Sequence, residues 1–294
     1  MLPLTVLSVS GKPRPIINIS VAGGPTVPVL FDTGSTGLRI FADKVGNNGL
    51  RDLGTPTSSS FTSGNHFEGT VASAPMIVAG APTAGPVEFH KITSASCTRR
   101  HPDCAAAGGE AAYIRRSQVV GVFGAGLRTG SVFSPLQQLE GSALKSFGVS
   151  LAGDAGSVTL NPAVKDQLAT FHIPSAEPAT HPNGAPAWLD QQVNACWKVR
   201  TGERTCVPTV FDTGATATSV DPSLPGVSGS KAAPLSLAQG ETGAPVWTTA
   251  GSSDTPVTVH EHSGDGLVNT GVAVFQKFDV IYDLTSGTVG LRIP

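Results

Sequence analysis

The chain has 294 residues, room for one large domain or two of ordinary size. Charged residues make up only 14% of it and the formal net charge is −2, with no basic stripe or acidic tail, which excludes nucleic acid and anionic membrane surfaces as expected partners. Abundant Gly (35) and Pro (23) beside 39% hydrophobic residues fit a turn-rich, all-β protein rather than a charged helical enzyme, and no apolar run approaches the ~20 residues of a membrane span.

In chain order, Met1 to Val6 lacks a charged leader and a long apolar stretch, so it does not read as a signal peptide. Ile16–Val21, the turn Ala22-Gly23-Gly24-Pro25 and Val27–Phe31 read as a β-hairpin. Residues 57–80 alternate weakly around Ser63-Gly64-Asn65, which predicts a second hairpin. Val119 to Gly124 reads as a short buried strand. One helix is expected over 135–147, with Ser134 as N-cap, Pro135 at the first helical position, Gln137 completing a capping box and Gly148 as the stop. Leu136, Leu139, Ala143 and Phe147 would share one face of it. Residues 172–188, rich in Pro, Ala and polar side chains, read as a linker between an N-terminal lobe (1–171) and a C-terminal lobe (189–294). Residues 193–211 read as a further hairpin, turning at Arg200-Thr201-Gly202-Glu203.

The four cysteines fall into two close pairs, one per half, with neither Cys-x-x-Cys spacing nor a histidine at zinc-finger distance. They are expected to form the disulfides Cys97–Cys104 and Cys196–Cys206, four buried thiols being the alternative. Two disulfides imply an oxidising compartment, hence an exported protein whose signal has been removed.

The most informative feature is an internal repeat. Val27-Pro28-Val29-Leu30-Phe31-Asp32-Thr33-Gly34-Ser35-Thr36 recurs as Val207-Pro208-Thr209-Val210-Phe211-Asp212-Thr213-Gly214-Ala215-Thr216, with seven of ten positions identical at an offset of 180. Each copy follows a hairpin whose second strand runs into Asp-Thr-Gly, which points to duplication into two lobes. A single Asp-Thr-Gly is a weak signal, since Asp and Gly are common in turns. Two copies at matching places are a strong one.

The chemistry that needs this pattern is peptide hydrolysis. It requires an activated water and a proton donor for the leaving amine, and two carboxyls sharing one proton supply both. Like charges about 3 Å apart cannot both ionise, so the pair titrates as a unit. Gly34 and Gly214 let each turn bring a backbone N–H to its carboxylate. Thr33 and Thr213 are expected to lock the two turns together. Ser35 can donate a hydrogen bond to Asp32 and Ala215 has no hydroxyl for Asp212, an asymmetry that would extend activity toward weakly acidic or neutral pH.

On these residues the chain resembles the pepsin family of aspartic peptidases. Asp32-Thr33-Gly34-Ser35-Thr36 and Asp212-Thr213-Gly214-Ala215-Thr216 match its two motifs. Val122-Phe123-Gly124 matches the apolar-apolar-Gly element behind the first motif, and Phe275 to Asp283 with Val289-Gly290-Leu291 is similar to its C-terminal signature. The resemblance implies an all-β, bilobal fold with pseudo-twofold related lobes and few short helices. It implies catalysis by Asp32 and Asp212, a cleft for an extended peptide, a monomer and no cofactor.

The chain departs from that family in places, as an atypical relative. The family carries a Tyr on the hairpin that covers the cleft, whereas here the tyrosines are Tyr113 and Tyr282, outside the segment 58–74. Phe61, His66 or Phe67 would cap the cleft instead, with Thr36 and Thr216 lining it. Arg39 stands where many members carry an aromatic, and the second apolar-apolar-Gly element is the polar Asn269-Thr270-Gly271.

Other candidates are weaker. His260 and His262 point the same way in an extended strand, but no third ligand lies near, so no metal is expected. Arg99-Arg100-His101 reads as a solvated loop tip. Gly121 to Gly126 lacks the βαβ setting of a dinucleotide loop. The expectation is an exported aspartic endopeptidase acting on extended peptide or protein substrates. The rival is a catalytically silent binding or inhibitor protein on the same scaffold.

Overall fold

The computed structural model describes residues 1–130, 132–199, 202–227, 234–249, 257–259 and 268–294. The chain is mostly strand with few short helices, so the fold is all-β. Contacts group it into two compact units, Leu2–Ala143 and Leu144–Pro294, the second also holding Met1.

The unit Leu2–Ala143 contains β1 (Leu2–Val9), β2 (Lys12–Val21), β3 (Val27–Asp32), β4 (Thr36–Phe41), β5 (Arg51–Ser60), β6 (Asn65–Ala74), β7 (Met76–Val78), β8 (Ala81–Pro82), β9 (Val87–Cys97), α1 (Glu110–Ser117) and β10 (Gly121–Ala125). Its strands run in the order β1-β2-β3-β10-β4-β9-β6-β5, with β7 on β2 and β8 on β7. β3 is buried along nearly its whole length, as an apolar run between two neighbours must be. β5 is a Thr- and Ser-rich edge strand and largely exposed.

The unit Leu144–Pro294 contains β11 (Ser146–Ala152), β12 (Ala155–Leu160), β13 (Ala169–His172), β14 (Ser175–Thr180), β15 (Pro186–Trp188), β16 (Val193–Val199), β17 (Arg204–Val210), β18 (Thr218–Val220), β19 (Leu235–Ala238), β20 (Pro245–Thr248), β21 (Val257–Val259), β22 (Val268–Asn269), α2 (Ala273–Lys277), β23 (Asp279–Asp283) and β24 (Thr288–Arg292). One layer runs β13-β24-β23-β11-β12, another β20-β19-β16-β17-β22-β18-β21, and β14 pairs with β15.

The sequence repeat is a repeat of topology. In the first unit β3 is antiparallel to β2 and parallel to β10, which is antiparallel to β4, itself parallel to β9. In the second unit β17, β16, β22, β18 and β21 make the same series of pairings. Both hairpins predicted beside the Asp-Thr-Gly turns are present, although Arg200 and Thr201 lie outside the described residues. The first copy carries an additional antiparallel hairpin, β5–β6, with no counterpart among the described residues of the second. Its tip at residues 61–64 falls where Ser63-Gly64-Asn65 predicted a turn, and Gly64 N donates to Phe61 O at 2.8 Å.

One expectation meets a different structure. The helix over 135–147 is reduced to a 3-10 turn, Pro135–Gln138. Its start is as read, since Leu136 N donates to Ser134 Oγ at 3.3 Å. Beyond it, Glu140 N donates to Pro82 O and Ala84 N to Gln138 O, both at 2.9 Å, so the backbone bonds sideways instead of up a helix. Contacts divide the two units at Ala143/Leu144, where β11 pairs with β12 and with β23 far downstream. Residues 172–188 include the β14–β15 pair, and Trp188 Nε1, at the end of β15, donates to Leu284 O at 3.0 Å.

Candidate active site

Both Asp-Thr-Gly turns follow the end of a buried strand that aromatic packing holds. Phe31, before Asp32, stacks on Phe123 with centroids 5.8 Å apart. Phe211, before Asp212, packs on Phe171 at 5.7 Å, and its carbonyl accepts from the buried Tyr282 hydroxyl at 2.8 Å. In each copy a glycine near the end of the neighbouring parallel strand, Gly124 within β10 and Gly271 just past β22, stands where a side chain would collide with the chain around the turn. A Cβ on Gly124 would lie 2.7 Å from Ser35 O, and one on Gly271 would lie 2.5 Å from Ala217 O. Gly271 also sits at φ +59, a conformation that favours glycine.

The turns then hold their carboxylates alike. Gly34 N donates to Asp32 Oδ1 at 2.8 Å, and Gly214 N to Asp212 Oδ1 at 2.7 Å. Asp32 is buried and Asp212 half-buried, with Thr33 and Thr213 buried beside them. The second oxygens are held differently. Ser35 Oγ donates to Asp32 Oδ2 at 2.6 Å. Asp212 Oδ2 instead accepts from Asn269 Nδ2, also at 2.6 Å, while Ala215 N approaches Oδ1 at 3.2 Å. Ala215 has no hydroxyl to offer Asp212, and the Asn269 amide takes that place at Oδ2.

Two guanidiniums flank the first turn. Arg128 Nη2 donates to Gly34 O at 3.2 Å. Arg39 Nη1 donates to Thr36 O at 2.9 Å and Gly37 O at 3.1 Å. Burial lowers the Arg39 pKa, opposed by the attraction of Asp32 and reinforced by Arg128. Its guanidinium carbon lies 5.7 Å from the Phe61 ring centroid, so Arg39 ties the Asp32 turn to the hairpin tip.

Residues 3–291 match the family described as the PE-PGRS C-terminal aspartyl peptidase-like domain. The chain belongs to that family. No curated protein matches it.

In this aspartyl peptidase-like domain the expected cap residues separate. Phe61 packs under Arg39 and against Phe67. His66 stays partly exposed and bonds Ser60 Oγ at 2.8 Å through Nδ1. Phe67 faces the other way. It is fully buried among Phe41 and Tyr113 and does not line an open cleft, because adjacent strand residues point to opposite faces. Burial raises the Tyr113 pKa to about 12. Thr36 is likewise buried, paired with Ala125, while Thr216 is half-buried.

Both cysteine pairs are joined, as expected. The Cys97–Cys104 loop pins the hairpin tip, since Thr98 N donates to Gly64 O at 2.8 Å and Ala106 N to Asn65 Oδ1 at 3.0 Å. The disulfides are compatible with an extracellular location. Among the described residues no helix is long and apolar enough to cross a membrane, and no group of three or more metal-ligating side chains converges. His260-Glu261-His262 lies outside the described residues.

The sequence reading missed Asn269, Tyr282 and Arg128 as residues that hold the turns. Asn269 had a visible signal. By strand register it occupies the place of Val122, because Asn269 pairs with Val210 as Val122 pairs with Leu30. A polar residue at an apolar position of the repeat coincides with the loss of the hydroxyl at Ala215.

Proposed function

We propose that this chain is an exported, monomeric, pepsin-like aspartic endopeptidase in which Asp32 and Asp212 act together on a bound water. One observation carries this reading. Two turns of the same sequence, on the same strand pattern, present carboxylates clamped by the same Gly N–H bond. Keeping two such groups half-buried or buried is costly, and a binding protein gains nothing from the cost.

In the proposed reaction one carboxyl of the pair is ionised and the other protonated. The ionised member takes a proton from water as its oxygen attacks the scissile carbonyl carbon, and the protonated member gives its proton to the carbonyl oxygen. Collapse of the resulting diol breaks the C–N bond. The amine leaves with a proton from one carboxyl, the other takes a proton back from the diol, and the pair again shares one proton. Thr33, Gly34, Ser35, Thr213, Gly214 and Ala215 hold the carboxyls. The β5–β6 hairpin, with Phe61 and His66, covers an extended peptide, and Thr216 contacts it.

The test is cleavage of an unfolded protein between about pH 3 and 7, with and without pepstatin. Pepstatin-sensitive cleavage that Asp32→Asn and Asp212→Asn each abolish is the expected result. Full activity in either variant, or no cleavage by the wild type, overturns the reading and leaves a silent binding protein.

A further inference from the structure

The two Asp-Thr-Gly turns differ in the side chain that donates to the second carboxylate oxygen, and the difference has a chemical direction. Asp32 Oδ2 accepts from the Ser35 hydroxyl, whereas Asp212 Oδ2 accepts from the Asn269 amide, 57 residues away in sequence. A hydroxyl can reverse and accept. The Asn269 amide cannot, because its Oδ1 is engaged by Gly271 N at 2.9 Å, which turns its N–H groups toward Asp212. Gly271 is fixed in turn, with positive φ and no room for a side chain. Asn269 therefore offers Asp212 a donor and nothing else, and a donor favours the carboxylate over the acid.

We infer that Asn269 is a positioning residue that replaces the hydroxyl missing at Ala215, orients the Asp212 carboxyl and makes it easier to deprotonate. The inference rests on the aspartic peptidase reading, which sets Asp32 against Asp212 as the titrating partner. Arg39 and Arg128 are the charged side chains described beside the Asp32 turn. In the active form the pair shares one proton, and a donor on Asp212 favours its loss. Loss of that proton sets the alkaline limb of the pH–rate profile. By helping Asp212 to ionise, Asn269 confines activity to lower pH.

The experiment replaces Asn269 with the residue that the first copy carries at its place. Asn269→Val is expected to move the alkaline limb of kcat/KM upward by about one pH unit and to leave the acid limb in place. Adding Ala215→Ser, which supplies a hydroxyl as Ser35 does, is expected to bring the limb back. An unmoved profile, a shift of the acid limb alone, or a shift that Ala215→Ser fails to reverse overturns the inference. If Asn269→Val does not fold, Asn269→Leu keeps the side-chain volume while removing the donor, and the same upward shift is expected.

A second readout needs no substrate. The Asp212 carboxyl carbon, followed by NMR titration of labelled protein, should reach its midpoint about one pH unit higher in Asn269→Val. An unchanged midpoint overturns the inference even if the wild type cleaves nothing. Absence of cleavage with a shifted midpoint instead defeats the peptidase reading alone.

Discussion

The Arg39 guanidinium lies 5.7 Å from the centre of the Phe61 ring while its Nη1 bonds the carbonyls of Thr36 and Gly37. A single side chain thus joins the strand after Asp32 to the tip of the β5–β6 hairpin. Arg39→Met keeps the apolar stem and removes the charge. Lost cation–π attraction and two lost bonds are offset by relief of a desolvated cation, so stability in denaturant should change by no more than about 1–2 kcal/mol. Cleavage should suffer more, with kcat/KM falling about tenfold as the tip loses its anchor. A large stability loss with unaltered kcat/KM would contradict this account.

His90 gives a stability signal in acid. It is 2% exposed on β9 beside Arg39, and burial, with that guanidinium, lowers its pKa from 6.5 to about 4. As pH falls below 6.5 the unfolded chain binds a proton that the folded chain refuses, so stability falls with pH. The loss is complete near pH 4, where the folded state also protonates. Below that it stays constant at up to about 3 kcal/mol. Denaturant midpoints measured from pH 7 to 4 should show a shallower decline in His90→Gln than in the wild type.

Gly271 admits no side chain, with φ +59 and Ala217 O only 2.5 Å from where a Cβ would stand. Gly271→Ala should cost about 3 kcal/mol or more in thermal or denaturant unfolding. Gly240, at φ +75 but with open space around it, should cost only about 1 kcal/mol when changed to Ala. Equal losses at the two sites would mean that the close approach to the second turn is not what makes Gly271 necessary.

The Cys97–Cys104 bond fixes the loop that holds the hairpin tip. Replacing both cysteines with Ser should lower stability by about 2–3 kcal/mol. Hydrogen exchange should quicken most at the Thr98 and Ala106 amides, which bond Gly64 O and Asn65 Oδ1. Uniform acceleration across β3 and β10 as well would show that the bond supports the whole unit and not the tip.

The sequence by itself determined what short-range chemistry dictates. Apolar strands running into Asp-Thr-Gly, a turn at Ser63-Gly64-Asn65, the Ser134 cap and two cysteine pairs all depend on residues within about ten positions of one another, where backbone sterics and chain connectivity leave few choices. Tertiary structure decided everything that depends on register between distant strands. It turned a helical pattern after Gln138 into bonds with Pro82 and Ala84, because those backbone groups found partners across the unit before they could find them up a helix. It put Phe67 in the core and left His66 at the surface. It also brought Asn269 to Asp212. Ala215 without a hydroxyl and Asn269 without an apolar side chain look like two separate departures in the sequence. The parallel pairing of β17 with β22 sets them at one carboxylate, where each accounts for the other.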